Sequence, residues 1–159
     1  MANRVKVGGR RDGDAFSIAS LLTTEREATV VVSGREYRVK RWCSIGDYED
    51  LRKHVEGRMQ MLELSHGKLP VEFPQDAPVP KWLLEERGEL KQEKVVLYLT
   101  SLEEINTATA LELGLVDPKL SWQEAVLLTL ASAHIALPLA QKIITEVNVL
   151  GALEEEKKI

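Results

Sequence analysis

The side chains in this sequence that can act as nucleophile, base or metal ligand are few and scattered. Cys43 is the one cysteine, and a thiolate nucleophile needs a base beside it. His54 follows along what reads as a helix, about two to three turns away, so Cys43 reads as a small packing residue next to Trp42. The three histidines, His54, His66 and His134, share no ligand spacing with one another, with the cysteine or with a carboxylate, so no metal centre is expected. His134, beside Ala133 and Ile135, reads as a capping or packing residue near a helix end. The acidic run Gly46-Asp-Tyr-Glu-Asp50 has too few oxygen ligands in the wrong order for a calcium loop. Its acids suit the first turns of a helix, where the dipole favours them. The run Gly8-Gly-Arg-Arg-Asp-Gly13 is no phosphate loop, because no Gly-Lys-Ser/Thr follows and no apolar strand precedes it. The expectation is a protein with no catalytic residue, no metal and no cofactor, which works through its surfaces.

The chain of 159 residues, 44% hydrophobic and 29% charged, has the size and balance of one ordinary soluble domain. A formal net charge of -4 gives no global attraction toward phosphate backbones or anionic lipid. The single cysteine and a start, MANRVKVGG, without the apolar core of a secretory signal lead to the expectation of a cytoplasmic protein. The longest apolar-rich region, Ala125 to Leu139, is shorter than a bilayer span and reads as a buried helix.

The fold expected is mainly α with a small N-terminal β-hairpin, an α+β arrangement whose C-terminal half is helical. Residues 1–14 carry four basic and two acidic side chains and little apolar surface, the composition of a mobile arm. Residues 15–64 read as an N-terminal lobe, beginning with a helical turn or two over Ala15 to Thr24. Val30 and Val32 alternate before the Ser33-Gly34 turn, and Tyr37 and Val39 after it, which predicts a hairpin with one greasy face. Arg35, Arg38, Lys40 and Arg41 form a basic fringe with Glu36 as internal counter-charge, the usual blunting of an exposed edge. From Gly46 the period changes to that of an amphipathic helix capped by Ser44, with Tyr48, Leu51, Val55, Met59 and Leu62 on one stripe.

Residues 65–80 hold four of the six prolines and predict an extended connection between two halves of one compact unit. Residues 81–159 read as a helical lobe. Lys81 to Leu90 looks helical, and Val95 to Thr100 is ambiguous between strand and helix. Ser101 with Glu104 and Ser121 with Glu124 fit capping boxes. The first of these helices ends at the C-cap residue Gly114, and the second runs to about Ile135. A last helix opens with Pro138 in its first turn and carries Leu139, Ile143, Val147 and Leu150 on one stripe. Trp82, Trp122 and Tyr98 are expected in the core rather than in a groove. The final EEEKKI reads as a charged tail. The helices joined at HIALP offer a recognition helix only Gln141, Lys142 and Asn148 against Glu146, a poor set for DNA.

Two stretches resemble the tail assembly chaperones of long-tailed bacteriophages. "GREYRVKRWCSIGDYEDL" is similar to that family's short β element leading through Gly-Asp into an amphipathic helix. "LPLAQKIITEVNVLGAL" is similar to its C-terminal helix, and "GLVDPKLSWQEAV" resembles the helix break and restart between them. The resemblance implies a non-enzymatic protein of the host cytoplasm that coats the helical tape measure protein until tail tube protein subunits displace it, with self-association as a further possibility. It also implies a short and a long form made by a ribosomal frameshift, for which Glu156-Lys157-Lys158 is a candidate site. The partner-binding residues it suggests are Tyr48, Leu51, Val55 and Met59 on one helix and Leu139, Ile143, Val147 and Leu150 on the other, where a client helix would lie in a groove. The competing expectation for each of these is plain core. A structural subunit of a phage tail or neck, present in the virion, is the alternative function. A small DNA-binding regulator using the basic fringe is a third.

Overall fold

A computed structural model describes residues 18–21, 25–42 and 44–147, with side chains outside that set for residues 20–21 and 145–147. In chain order the elements are α1 (Ile18–Leu21), β1 (Glu27–Val32), β2 (Arg35–Lys40), α2 (Ile45–Leu64), β3 (Leu69–Pro74), α3 (Lys81–Arg87), β4 (Gly88–Lys91), β5 (Lys94–Leu99), α4 (Leu102–Gly114), β6 (Leu115–Asp117), α5 (Trp122–Ala131) and α6 (Ala133–Val147). They make an α+β fold with two small antiparallel sheets, ordered β1-β2-β6 and β3-β5-β4. The strand content therefore exceeds the lone N-terminal hairpin expected. The arm 1–14, Cys43, Leu150 and the tail 154–159 lie outside the described residues.

The first sheet follows from its alternation. Val30, Val32, Tyr37 and Val39 are buried on one face, and Ser33 and Gly34 both take positive φ (53° and 78°), as a two-residue turn matched to strand twist requires. Strand β2 is the middle of this sheet, not its edge, which corrects the role given to the basic fringe. Three of its four cations are paired with acids of neighbouring elements rather than with Glu36. Arg38 meets Glu27 at 3.1 Å, Lys40 meets Asp47 at 3.3 Å and Arg41 meets Glu25 at 3.8 Å.

The proline-rich segment is not simply a connection, for β3 lies inside it and pairs with β5 from Leu69·Leu99 to Pro74·Lys94. Pro70 and Pro74 have the same parity on a marginal strand, so the donors they lack are those that would point away from β5. Leu69, Val71 and Phe73 alternate with them and are buried. The stretch Lys81 to Leu90 is only partly helical: α3 ends at Arg87, and Gly88 opens β4. A side chain at Gly88 would put its Cβ 2.6 Å from the Val96 carbonyl oxygen, so only glycine lets β4 lie this close to β5. The ambiguous run is settled as β5, the middle strand, with Val95, Val96, Leu97 and Leu99 buried.

At the centre stands α4, capped by Ser101 Oγ accepting the Glu104 amide. Ile105, Ala108, Ala110 and Leu111 are fully buried, and α2, α5, α6 and strands β2 and β6 all pack on this helix. Gly114 ends it, but without the positive φ of a glycine cap. It is a packing glycine: a Cβ there would come within 2.6 Å of Ile143 Cγ2 and 3.6 Å of Trp42 Cζ2. The helix pair beyond also departs from expectation. The chain breaks at Ser132, not near Ile135, and α6 begins at Ala133, placing Pro138 inside it. The Ser132 carbonyl starts α6 by accepting from Ile135 and Ala136, each at 2.9 Å, so Pro138 lies beyond the first turn and withholds the bond that an amide there would give the His134 carbonyl.

One apolar cluster runs from Val30 and Trp42 through Leu69 and Leu97 to Leu139 and Ile143, and β6, from the C-terminal half, completes the N-terminal sheet. The described parts of the two lobes therefore share a core.

Candidate interaction site

Helix α2 is twenty residues long, yet only Leu51 and Leu62 on it are buried. Ser44 Oγ accepts the Asp47 amide at 3.1 Å and sets its start. The Asp47 carboxyl is pushed up by burial, but the bond from Lys40, its charge and Ser44 outweigh this and hold it below the usual aspartate range. Of the acids in the GDYED run only Asp47 lies in the first turn and serves the helix start; Glu49 joins Arg52 and Glu56 on the outer face and Asp50 lies beside His54. Of the candidate stripe, Leu51 is in the core, Tyr48 is half-buried, and Val55 and Met59 are half-buried against the core cluster. Ile45, Met61 and Leu64 on the same helix are exposed. Met61 and Leu64 face away from the stripe, so the apolar surface α2 leaves open on the stripe's own side is that of the half-buried Tyr48, Val55 and Met59.

Beside the core contacts of Leu51 and Leu62, one side chain ties this helix to two others. Arg58 lies over the Trp122 ring at 3.6 Å from the centroid, donates to Thr109 Oγ1 at 3.0 Å and meets Glu112 at 2.8 Å. One guanidinium therefore ties α2 to α4 and α5 through its face and its edge at once. No pattern in the sequence points to it, because its partners lie at least 51 residues away.

The α6 half of the candidate set is different. Leu139 and Ile143 are 0% exposed and fill the space against α4, so they are core and not a shared stripe. The backbone of Val147 closes α6, while its side chain and Leu150 lie outside the described residues. Trp82, expected in the core, is 51% exposed on α3; the seven-residue helix buries Leu83 instead. Trp122 and Tyr98 are half-buried.

A cleft of about 250 Å³ opens between α3, α4 and the α5–α6 break, with Leu83, Thr107, Thr129 and Leu137 among its walls. Arg87 on α3 and Glu104 on α4 form a two-pronged pair there, at 3.2 and 2.5 Å. Burial pushes the Glu104 carboxyl up, but the bonds from Arg87 and the Thr100 amide hold it below its ordinary range. Glu104 accepts from Thr100 N–H at 2.8 Å rather than from its own cap residue, so the first capping box is half formed. The box at Ser121 and Glu124 is complete. With its oxygens engaged, Glu104 fixes α3 to α4 and is not placed to take a proton from a substrate.

Among the described residues no group of three or more His, Cys, Asp or Glu is gathered as a metal site. No helix among them is long and apolar enough to cross a membrane. No family model, no curated protein and no solved structure matches the chain.

Proposed function

We propose that this protein is a non-enzymatic tail assembly chaperone that holds a helical tape measure protein against α2 in the host cytoplasm and releases it as tail tube protein arrives. The observation that supports this reading most is the packing of α2. A long amphipathic helix that leaves Tyr48, Val55 and Met59 half-covered along one stripe has apolar surface to share with a client helix. Only Leu51 and Leu62 of its twenty residues are buried, which leaves the helix few core contacts to rearrange as a client arrives. The likeness of residues 34–51, 114–126 and 137–153 to that family points the same way.

The test is co-expression of the chain with a tape measure protein, followed by capture and by a search for the chain in finished particles. Capture together with absence from particles supports the chaperone. Presence in particles favours the alternative, a structural subunit of tail or neck. The DNA-binding alternative is weakened by the pairing of Arg38, Lys40 and Arg41 with acids, which leaves the fringe little net charge for phosphates.

A further inference from the structure

The cleft between α3, α4 and the α5–α6 break carries charge that the fold does not use. Its walls hold three carboxylates, Glu86, Glu103 and Glu104, against one cation, Arg87. Arg87 is engaged by Glu104 and by the Tyr98 carbonyl, and it meets Glu86 only through space. Glu86 and Glu103 are exposed, and neither has a hydrogen bond or ion pair among the described residues. Glu103 suits the first turn of α4, where the helix dipole favours an acid. Glu86 stands in the last turn of α3, where the dipole disfavours one, so helix electrostatics do not explain it.

Deeper in the cleft are two hydroxyls. Thr129, 6% exposed, donates to the Ala125 carbonyl at 2.8 Å, which leaves its lone pairs free to accept. Thr107, 5% exposed, has no side-chain hydrogen bond among the described residues. A buried hydroxyl without a partner costs free energy, and this one lines the cleft, where a bound group reaches it. The unused polar groups can all accept, beside apolar walls formed by Leu83, Leu130 and Leu137. They suit a cationic donor on an apolar stem. The volume of about 250 Å³ falls below the roughly 300 Å³ at which sites for drug-sized molecules begin, and it suits a single side chain. The margins point to a polypeptide as its carrier: Leu137 is 43% exposed, and Trp82, one turn before Glu86 on α3, is 51% exposed. Large apolar side chains beside a pocket are covered by a partner surface, not by a lone amine.

We propose that this cleft receives a lysine or arginine side chain from a partner polypeptide, whose apolar residues beside that cation pack on Trp82 and Leu137. The stem lies against the leucines of the walls, the threonine hydroxyls accept from the head, and Glu86 and Glu103 balance its charge. None of the walls belongs to α2, so the proposal stands apart from the identity of any client held there.

Amide NMR of the labelled full chain, titrated at low salt with the peptide acetyl-Ala-Leu-Lys-Leu-Ala-amide, tests it. The expected result is a saturable set of shifts gathered at Thr107, Thr129 and Leu137, weakened by added salt and absent when norleucine replaces the peptide's lysine. Glu86→Gln combined with Glu103→Gln should raise the Kd about fivefold or more, and Thr107→Val about threefold. Glu63→Gln, at an exposed position on α2, should leave it unchanged. Thermal melts of the glutamine variants should stay close to the parent, because neither carboxylate is paired in the fold. Should Thr107→Val lower the melt, the glutamine pair decides alone. A chain that the peptide does not shift overturns the proposal, as does equal binding of the norleucine peptide or a Kd that the double glutamine variant leaves unchanged. Butylamine binding as tightly as the peptide also overturns it, since the cleft would then be a site for a free amine.

Discussion

Trp42, Gly114 and Ile143 meet where the first sheet touches the central helix, and each is there for shape. Trp42 is 3% exposed, so Trp42→Ala should leave a cavity and cost about 3–5 kcal/mol in denaturant unfolding; a folded variant of parental stability would make it an interface residue instead. Gly114→Ala places a methyl group 2.6 Å from Ile143 Cγ2, and should cost about 1–3 kcal/mol by overpacking, readable as a lower melting temperature. Glu104 supplies a pH dependence. Its folded pKa lies below its ordinary value of 4.5, so its contribution is complete above that value and is lost as pH falls through the lower folded one. Glu104→Gln should therefore be less stable than the parent at neutral pH, and the gap should close as urea melts are repeated below about pH 4.

Elements were legible where the chain's own period and caps define them, and illegible where partners decide. The helix start at Ser44, the cap at Ser101 and the box at Ser121 can be read because each involves residues within one turn. Strand β3 was hidden by its prolines, which exclude a central strand but suit a margin. Strand β6, three residues, owes its existence to β2, some 75 residues earlier by the chain numbering. The break at Ser132 has no glycine or proline to announce it. The same logic covers the candidate site: the α2 stripe shows in its period, but Arg58 does not, because Thr109, Glu112 and Trp122 reach it only in the fold. Arg58→Ala should loosen α2 and cost about 2 kcal/mol or more through the lost stacking and the orphaned Glu112. Arg58→Lys should recover little of this, since an ammonium cannot both stack flat and donate in two directions. Hydrogen exchange along α2 would separate these outcomes from a general destabilisation.

At the scale of the whole molecule, the described residues form one core with α4 at its centre, and functional surface is what that core leaves over. Leu139 and Ile143 on α6 are consumed by packing, while Tyr48, Val55 and Met59 on α2 stay half-covered, so a client helix should be met at α2. The measurement that tests this most directly is hydrogen–deuterium exchange of the chain alone and in complex with a tape measure protein. Slower exchange concentrated on Tyr48 to Met59, with α4 unchanged, is the expected result; an α2 whose exchange is unaltered while protection falls elsewhere would contradict the proposed site.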